Sequence, residues 1–356
     1  MKNPSQIILN VIASFLSGVI VLPSAAMAQS QPSVASPSSA TPVSANISQP
    51  KFGDMNIHDR NAYLKEVEKQ DFPIIMQTFL DAGRVEHDDG KQDMVRRILS
   101  GAMRERTPPP AFLAQLKAFI EDGSNTIRER DQMIAALGDA ATVESESLLI
   151  SEARVLTDKS LKDSAIGEIG GLGDLSDNEN LAPPLNQLWL ESKDQQMLMS
   201  VSLSMAKISA PSSINLLLSA ALASARLDNT HKRLAKEALT TVYRKNAVPS
   251  LAAALANQSS TSPQAVLAFS TLAQIHDVTA CQTLITWLRQ ADITAAPLAH
   301  DWIAHAAADT QLKAATAALD PKVTFQSEAN REALRQGLAA RKNGPPDVIH
   351  EATRSQ

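Results

Sequence analysis

From about residue 58 to 342, apolar residues recur every three or four positions, as in Met197, Val201, Met205 and Ile208. That spacing puts them on one face of a helix. No alternating run rich in Val, Ile, Thr and Tyr, of the kind that marks a strand, interrupts the pattern. The breaks carry helix-end chemistry. Ser262-Pro263 offers a hydroxyl at an N-cap and a proline at the first helical position. Asp158, Asp194, Asp228 and Asp277 stand where N-caps are expected. Prolines follow Asn180, Ser209 and Asn246 at positions suited to a first turn. Gly123, Gly138 and Gly173 stand where helices are expected to stop.

A short phrase recurs along this helical stretch. Leu137-Gly138-Asp139 is followed by Leu172-Gly173-Asp174, and weaker copies follow at Met205-Ala206-Lys207, Val242-Tyr243-Arg244 and Leu272-Ala273-Gln274. The intervals run from 30 to 37 residues, and the first is 35. Ala102 lies 35 residues before Leu137, so the array is expected to begin earlier, near Asn61. A period of this length predicts small units that cannot bury their apolar faces alone and must stack. The best unit pairs a helix over 142–156 with one over 159–172. The fold class is therefore all-α, a right-handed α-solenoid of stacked antiparallel helix pairs. Within each phrase the Leu is expected in the shared core. The Gly is expected to turn with positive φ, and the Asp to cap the next turn.

Ala136 to Asp139, Gly171 to Asp174, and Met205 to Pro211 followed by Ile214 and Leu216-Leu217-Leu218 resemble HEAT-like repeats. The short type found in phycobilisome-lyase-like and other bacterial proteins is the nearest in style. The resemblance covers about 125–290 well and the flanks to 58 and 342 loosely. It implies architecture far more than function, because that family mixes scaffolds, adaptors and a few enzymes. Some members are di-iron hydroxylases that use His-Glu dipeptides. The one His-Glu here is His350-Glu351, beyond Pro345-Pro346, which excludes that class. The copies after Met205 lose the Gly, and their spacing becomes irregular.

The ends of the chain read differently. Lys2, an apolar run from Ile7 to Leu22, Pro23 and Ala26-Met27-Ala28 follow the order of a secretory signal peptide over 1–28. The run is short for a spanning helix and contains Asn10. Residues 29–57 form a Ser/Pro/Ala-rich linker with too few large apolar side chains to fold, and 343–356 a disordered tail. The helical-repeat domain is assigned to 58–342. The expectation is an exported protein, periplasmic or secreted, without a transmembrane segment after cleavage. A single cysteine, Cys281, allows no internal disulfide, so packing must stabilise the fold. The formal charge of −5 becomes −6 once Lys2 is removed, which argues against a nucleic-acid partner.

No chemistry-bearing constellation converges. His300 and His305 are five apart and diverge on a helix, while Asp301 and His305 are spaced to pair. His87-Asp88-Asp89 reads as a polar turn. Asp174, Asp177 and Glu179 share a loop that lacks the calcium-loop order. No Gly-x-Ser-x-Gly and no phosphate-binding glycine loop occurs. Trp189, Trp287 and Trp302 read as core or inter-repeat contacts before binding anchors. No cofactor or metal is expected, and the chain is expected not to be an enzyme.

Charge is the remaining functional clue. Residues 94–130 carry seven bases against four acids, and residues 139–194 carry twelve acids against four bases. In a stacked array such a gradient is expected to polarise one surface. Its candidate partner-binding residues are Arg96, Arg104, Arg128, Glu144, Glu146, Glu152, Asp174, Asp177 and Glu179. The expected function is an interaction scaffold or adaptor whose concave face binds another envelope or secreted protein. The alternative is a lyase-like or cofactor-handling enzyme with its site on that face.

Overall fold

A computed structural model describes residues 55–85, 89–222, 228–256 and 258–343. The stretches expected to be a signal peptide (1–28), a linker (nearly all of 29–57) and a tail (nearly all of 343–356), and also His87-Asp88, lie outside the described residues. Among the described residues there are seventeen α-helices and no strand. They are α1 (Ile57–Val67), α2 (Phe72–Val85), α3 (Asp89–Glu105), α4 (Pro110–Glu121), α5 (Ile127–Ala140) and α6 (Val143–Val155). Next come α7 (Lys159–Leu175), α8 (Ala182–Glu191), α9 (Gln195–Ile208), α10 (Pro211–Leu222), α11 (Asn229–Leu239) and α12 (Val248–Leu255). The series ends with α13 (Pro263–Leu272), α14 (Val278–Gln290), α15 (Ala296–Ala304), α16 (Asp309–Ala318) and α17 (Glu328–Asn343).

Local chemistry starts these helices where the sequence places the starts. Asp158, Asp194, Asp228, Ser262 and Asp277 are N-caps whose side chains accept from backbone N–H groups of the first turn. Thr126 with Glu129, and Thr142 with Ser145, form reciprocal capping boxes. The entries to α8, α12 and α15 share one design: a 3₁₀ turn leads into a helix with proline in its first turn.

Packing sorts the helices into two rows. Odd-numbered helices pack in succession from α1 to α11, and again from α13 to α17. Even-numbered helices pack in succession from α4 to α16. The odd row is the tighter one, closest at α7 against α9 and at α15 against α17. Between α11 and α13 it loosens, and α10 packs against both. This is a solenoid of stacked helix pairs.

The first residue of every phrase is core. Ala102, Leu137, Leu172, Met205, Val242 and Leu272 are all buried. The expectation for the second residue is overturned. Gly138 and Gly173 lie inside α5 and α7, and no described glycine has positive φ. The left-handed turns fall instead on Ala141 (φ 46°) and Ser209 (φ 60°), which close α5 and α9. The glycines serve contact between neighbouring odd helices. A Cβ on Gly173 would stand 2.4 Å from Lys207 Cβ and 3.1 Å from Ser204 O, both on α9. A Cβ on Gly138 would stand 2.9 Å from Glu168 Cβ on α7. Ser204, fully buried, donates its hydroxyl to Ile169 O and fastens α9 to α7.

Candidate functional site

In two places the third residue of the phrase pairs with its counterpart one repeat away. Arg104 pairs with the buried Asp139, 35 residues on, and Lys207 pairs with Asp174. Arg244 reaches further, across two repeats. Its guanidinium donates to Gly173 O at 2.8 Å and approaches Asp177 at 3.6 Å, tying the end of α7 to the segment after α11. Asn246 donates to Glu179 at 2.9 Å. The aspartates of the phrase are therefore inter-repeat partners rather than caps. Asp174, Asp177 and Glu179 each engage a different later residue and do not converge.

The even row repeats the device. Lys117 on α4 reaches Glu152 on α6 at 2.7 Å, and Arg154 on α6 reaches Glu191 on α8 at 2.7 Å. Part of the charge gradient along the chain is thus neutralised between repeats. Glu152 is fully buried, with Oε1 on Lys117 and no partner for Oε2. The hydrogen bonds that Lys117 donates to the Glu121 and Glu152 carboxylates raise its pKa. Removing one partner of a buried pair strands the other charge. Lys117→Met should therefore lower unfolding free energy by about 3 kcal/mol, the lower end of the usual cost because the ammonium is partly solvated. Urea denaturation checks this. A loss below about 1 kcal/mol would mean that Glu152 is satisfied by other means.

Glu146 is also fully buried, and neither carboxylate oxygen has a partner. Desolvation raises its pKa from 4.5 to about 8. A partner molecule touches neither Glu146 nor Glu152, so these two leave the expected binding face. Glu144 and Arg128 are exposed near the starts of α6 and α5. Arg96 lies in α3, and its side chain is outside the described residues.

Other candidates resolve into packing. Trp189 and Trp302 are buried, and Trp287 is partly buried against Phe269 at 5.5 Å. His231 carries no signal in the sequence but is buried between Asp228, 3.0 Å from Nδ1, and Trp189 O, 3.2 Å from Nε2. Asp301 pairs with His300 at 3.0 Å, whereas His305 bonds the Asp301 backbone carbonyl at 2.9 Å, not its carboxylate. Cys281 is buried, and desolvation pushes its thiol up to about 11. No group of three or more His, Cys, Asp or Glu among the described residues could hold a metal ion. Among those residues no helix is long and apolar enough to cross a membrane.

One polar groove of about 660 Å³ opens in the odd row between α1, α3 and α5. Arg97 and Arg104 line it from α3, Glu68 from just past the end of α1 and Asp139 from α5. Gly101 makes room for Glu68, whose Oε1 would stand 2.5 Å from an added Cβ. Ser100 at its wall is 6% exposed, and its hydroxyl has no hydrogen-bond partner. Arg97 is exposed and forms no ion pair with a described residue. The groove thus offers a donor-rich side, an acidic side and a waiting hydroxyl. Ser100 and Glu68 escape sequence reasoning because each stands alone in its helix and gains meaning only across the seam.

The solenoid of stacked helix pairs fits the HEAT-like resemblance of the sequence. Solved structures are similar to this chain at low identity. Human deoxyhypusine hydroxylase in complex with glycerol is 15% identical over 80% of this chain and 99% of that one, with a TM-score of 0.28. The complex of CpcE and CpcF of phycocyanin lyase from Nostoc sp. is 15% identical over 76% and 95%, with a TM-score of 0.31. The YibA protein of E. coli is 11% identical over 82% and 99%, with a TM-score of 0.33. No family model matches the chain, and no curated protein matches it. Two of these HEAT-like neighbours bear the names of enzymes, which corrects the expectation that this chain is not an enzyme. An all-helical repeat without a familiar catalytic motif gives no ground for that exclusion. At such identities and TM-scores the activities of the neighbours do not carry over to this chain.

Proposed function

We propose that the chain is an exported adaptor that binds a segment of another envelope or secreted protein along its odd helical row. The observation that carries this reading is the polar groove of α1, α3 and α5. Its mixed lining suits a peptide segment, whose backbone and side chains bring both donors and acceptors. Arg97 provides an uncommitted charge, and the Ser100 hydroxyl provides a buried polar group that a ligand would satisfy. The secretory pattern of residues 1–28 supports export.

Affinity capture from envelope extracts with cross-linking tests the reading. The expected result is a reproducible cross-linked protein whose yield falls about tenfold with Arg97→Glu, as for an interfacial charge that meets its complement. Lys193→Glu, an exposed change between α8 and α9, should leave the yield unchanged. No captured protein, or equal capture by Arg97→Glu, contradicts the proposal.

A further inference from the structure

A second groove lies in the even row, far along the chain from the first. It has a volume of about 630 Å³ and runs between α14 and α16. On α14 the lining positions are 278, 281, 282, 285, 286 and 289. They form one stripe along the helix, spanning about 16 Å at 1.5 Å per residue. On α16 the facing wall is Ala314, Ala317 and Ala318, whose small side chains leave the space open. Cys281 and Ala318 form a buried floor, while Val278 is 55% exposed at the margin.

The charge of this groove is of one sign. Arg289 and Lys313 are the charged residues that line it, and no carboxylate does. Neither forms an ion pair with a described residue. Arg289 Nε donates to Thr324 O at 3.1 Å, which holds its guanidinium at the groove's edge. A basic rim on a chain of net charge −5 is a local feature, not a reflection of the whole. Several wall residues, among them Gln282, Thr286 and Ala317, remain exposed, so an occupant would keep one side in water.

We propose that this groove docks an acidic amphipathic helix of a partner protein. A helix of about three turns matches the stripe in length. Its apolar residues at three-and-four spacing would enter over Cys281, Ile285 and Ala314, as in helix-in-groove recognition. Its flanking carboxylates would meet Lys313 and Arg289, and its polar face would stay solvated. A basic or uncharged helix would lack that complement, so the rim selects among helices of similar hydrophobicity. The site is independent of the polar groove of α1, α3 and α5.

The test uses the full chain and two labelled synthetic peptides of about 16 residues that share leucines at helical spacing. One is flanked by glutamates and the other by lysines. Fluorescence anisotropy should show saturable binding of the glutamate peptide, about tenfold tighter than the lysine peptide. Lys313→Glu, at an exposed position, should remove that preference. Ala317→Trp should fill the groove and abolish binding while the helical circular dichroism is unchanged, and Arg97→Glu should have no effect. Equal binding of the two peptides, no saturable binding of either, or binding indifferent to both groove substitutions overturns the proposal.

Discussion

Glu146→Gln should make the protein markedly more stable at pH 9 and leave it nearly unchanged at pH 4. The Glu146 carboxyl is fully buried and neither oxygen has a partner, so burial favours the neutral acid. Its pKa is about 8 in the folded chain against an ordinary 4.5. A raised carboxyl pKa means that the folded state holds the proton more tightly than the unfolded chain. The contribution to stability is complete below about 4.5 and is lost as pH rises through about 8. A shift of this size corresponds to an upper limit of about 5 kcal/mol. The N-cap carboxylates Asp228, Asp277 and Asp292, and Asp122 at the C-terminal end of α4, run the other way. Hydrogen bonds from neighbouring residues lower their pKa values, so their contribution is lost only as pH falls through and below the usual carboxylate range. The two effects occupy separate pH windows. Denaturant melts of both proteins at pH 4, 7 and 9 should show the difference growing with pH. A constant difference would mean that Glu146 is solvated or paired.

Gly173→Val should cost about 3 kcal/mol, near the top of the usual range for overpacking. The reason is backbone proximity. Any side chain at position 173 meets Lys207 Cβ and the Ser204 main chain, not the pliable end of a long side chain. Relief requires α7 and α9 to separate. That movement would stretch the Ser204 bond to Ile169 O and the pair between Lys207 and Asp174. Near Gly138 the close atoms are all of Glu168 and none is main chain, but Glu168 Cβ at 2.9 Å opposes a side chain there as well.

The sequence conveys some of this and hides the rest for identifiable reasons. N-caps such as Asp158 and Asp277 are legible because cap and recipient lie within three residues. The repeat register is legible because Leu137, Leu172 and Met205 are core at similar intervals, 35 and 33 residues. The role of the glycines is not legible locally. A glycine after a helical run ordinarily marks a stop, and only the neighbouring helix shows that it marks a close approach. The buried acids mislead for a similar reason, since a glutamate on a charged helix is ordinarily exposed. A signal for Lys117 with Glu152 and for Arg104 with Asp139 was nevertheless present, as opposite charges one repeat apart. The polar groove was half legible. Arg104 belongs to the basic stretch, but Ser100 and Glu68 join it only when α1 and α3 pack together.

The central structural claim is that the glycine of the recurring phrase is a seam between repeats and not a turn. Replacing glycines within the single helix α7 tests it most directly. Gly167 has no atom within 4 Å of an added Cβ, whereas Gly173 has the α9 backbone there. Gly167→Ala should raise unfolding free energy by up to about 1 kcal/mol through helix propensity alone. Gly173→Ala should lower it despite the same propensity gain. Opposite signs in one helix, measured by urea denaturation, are the predicted result. Stabilisation by both substitutions would contradict the seam.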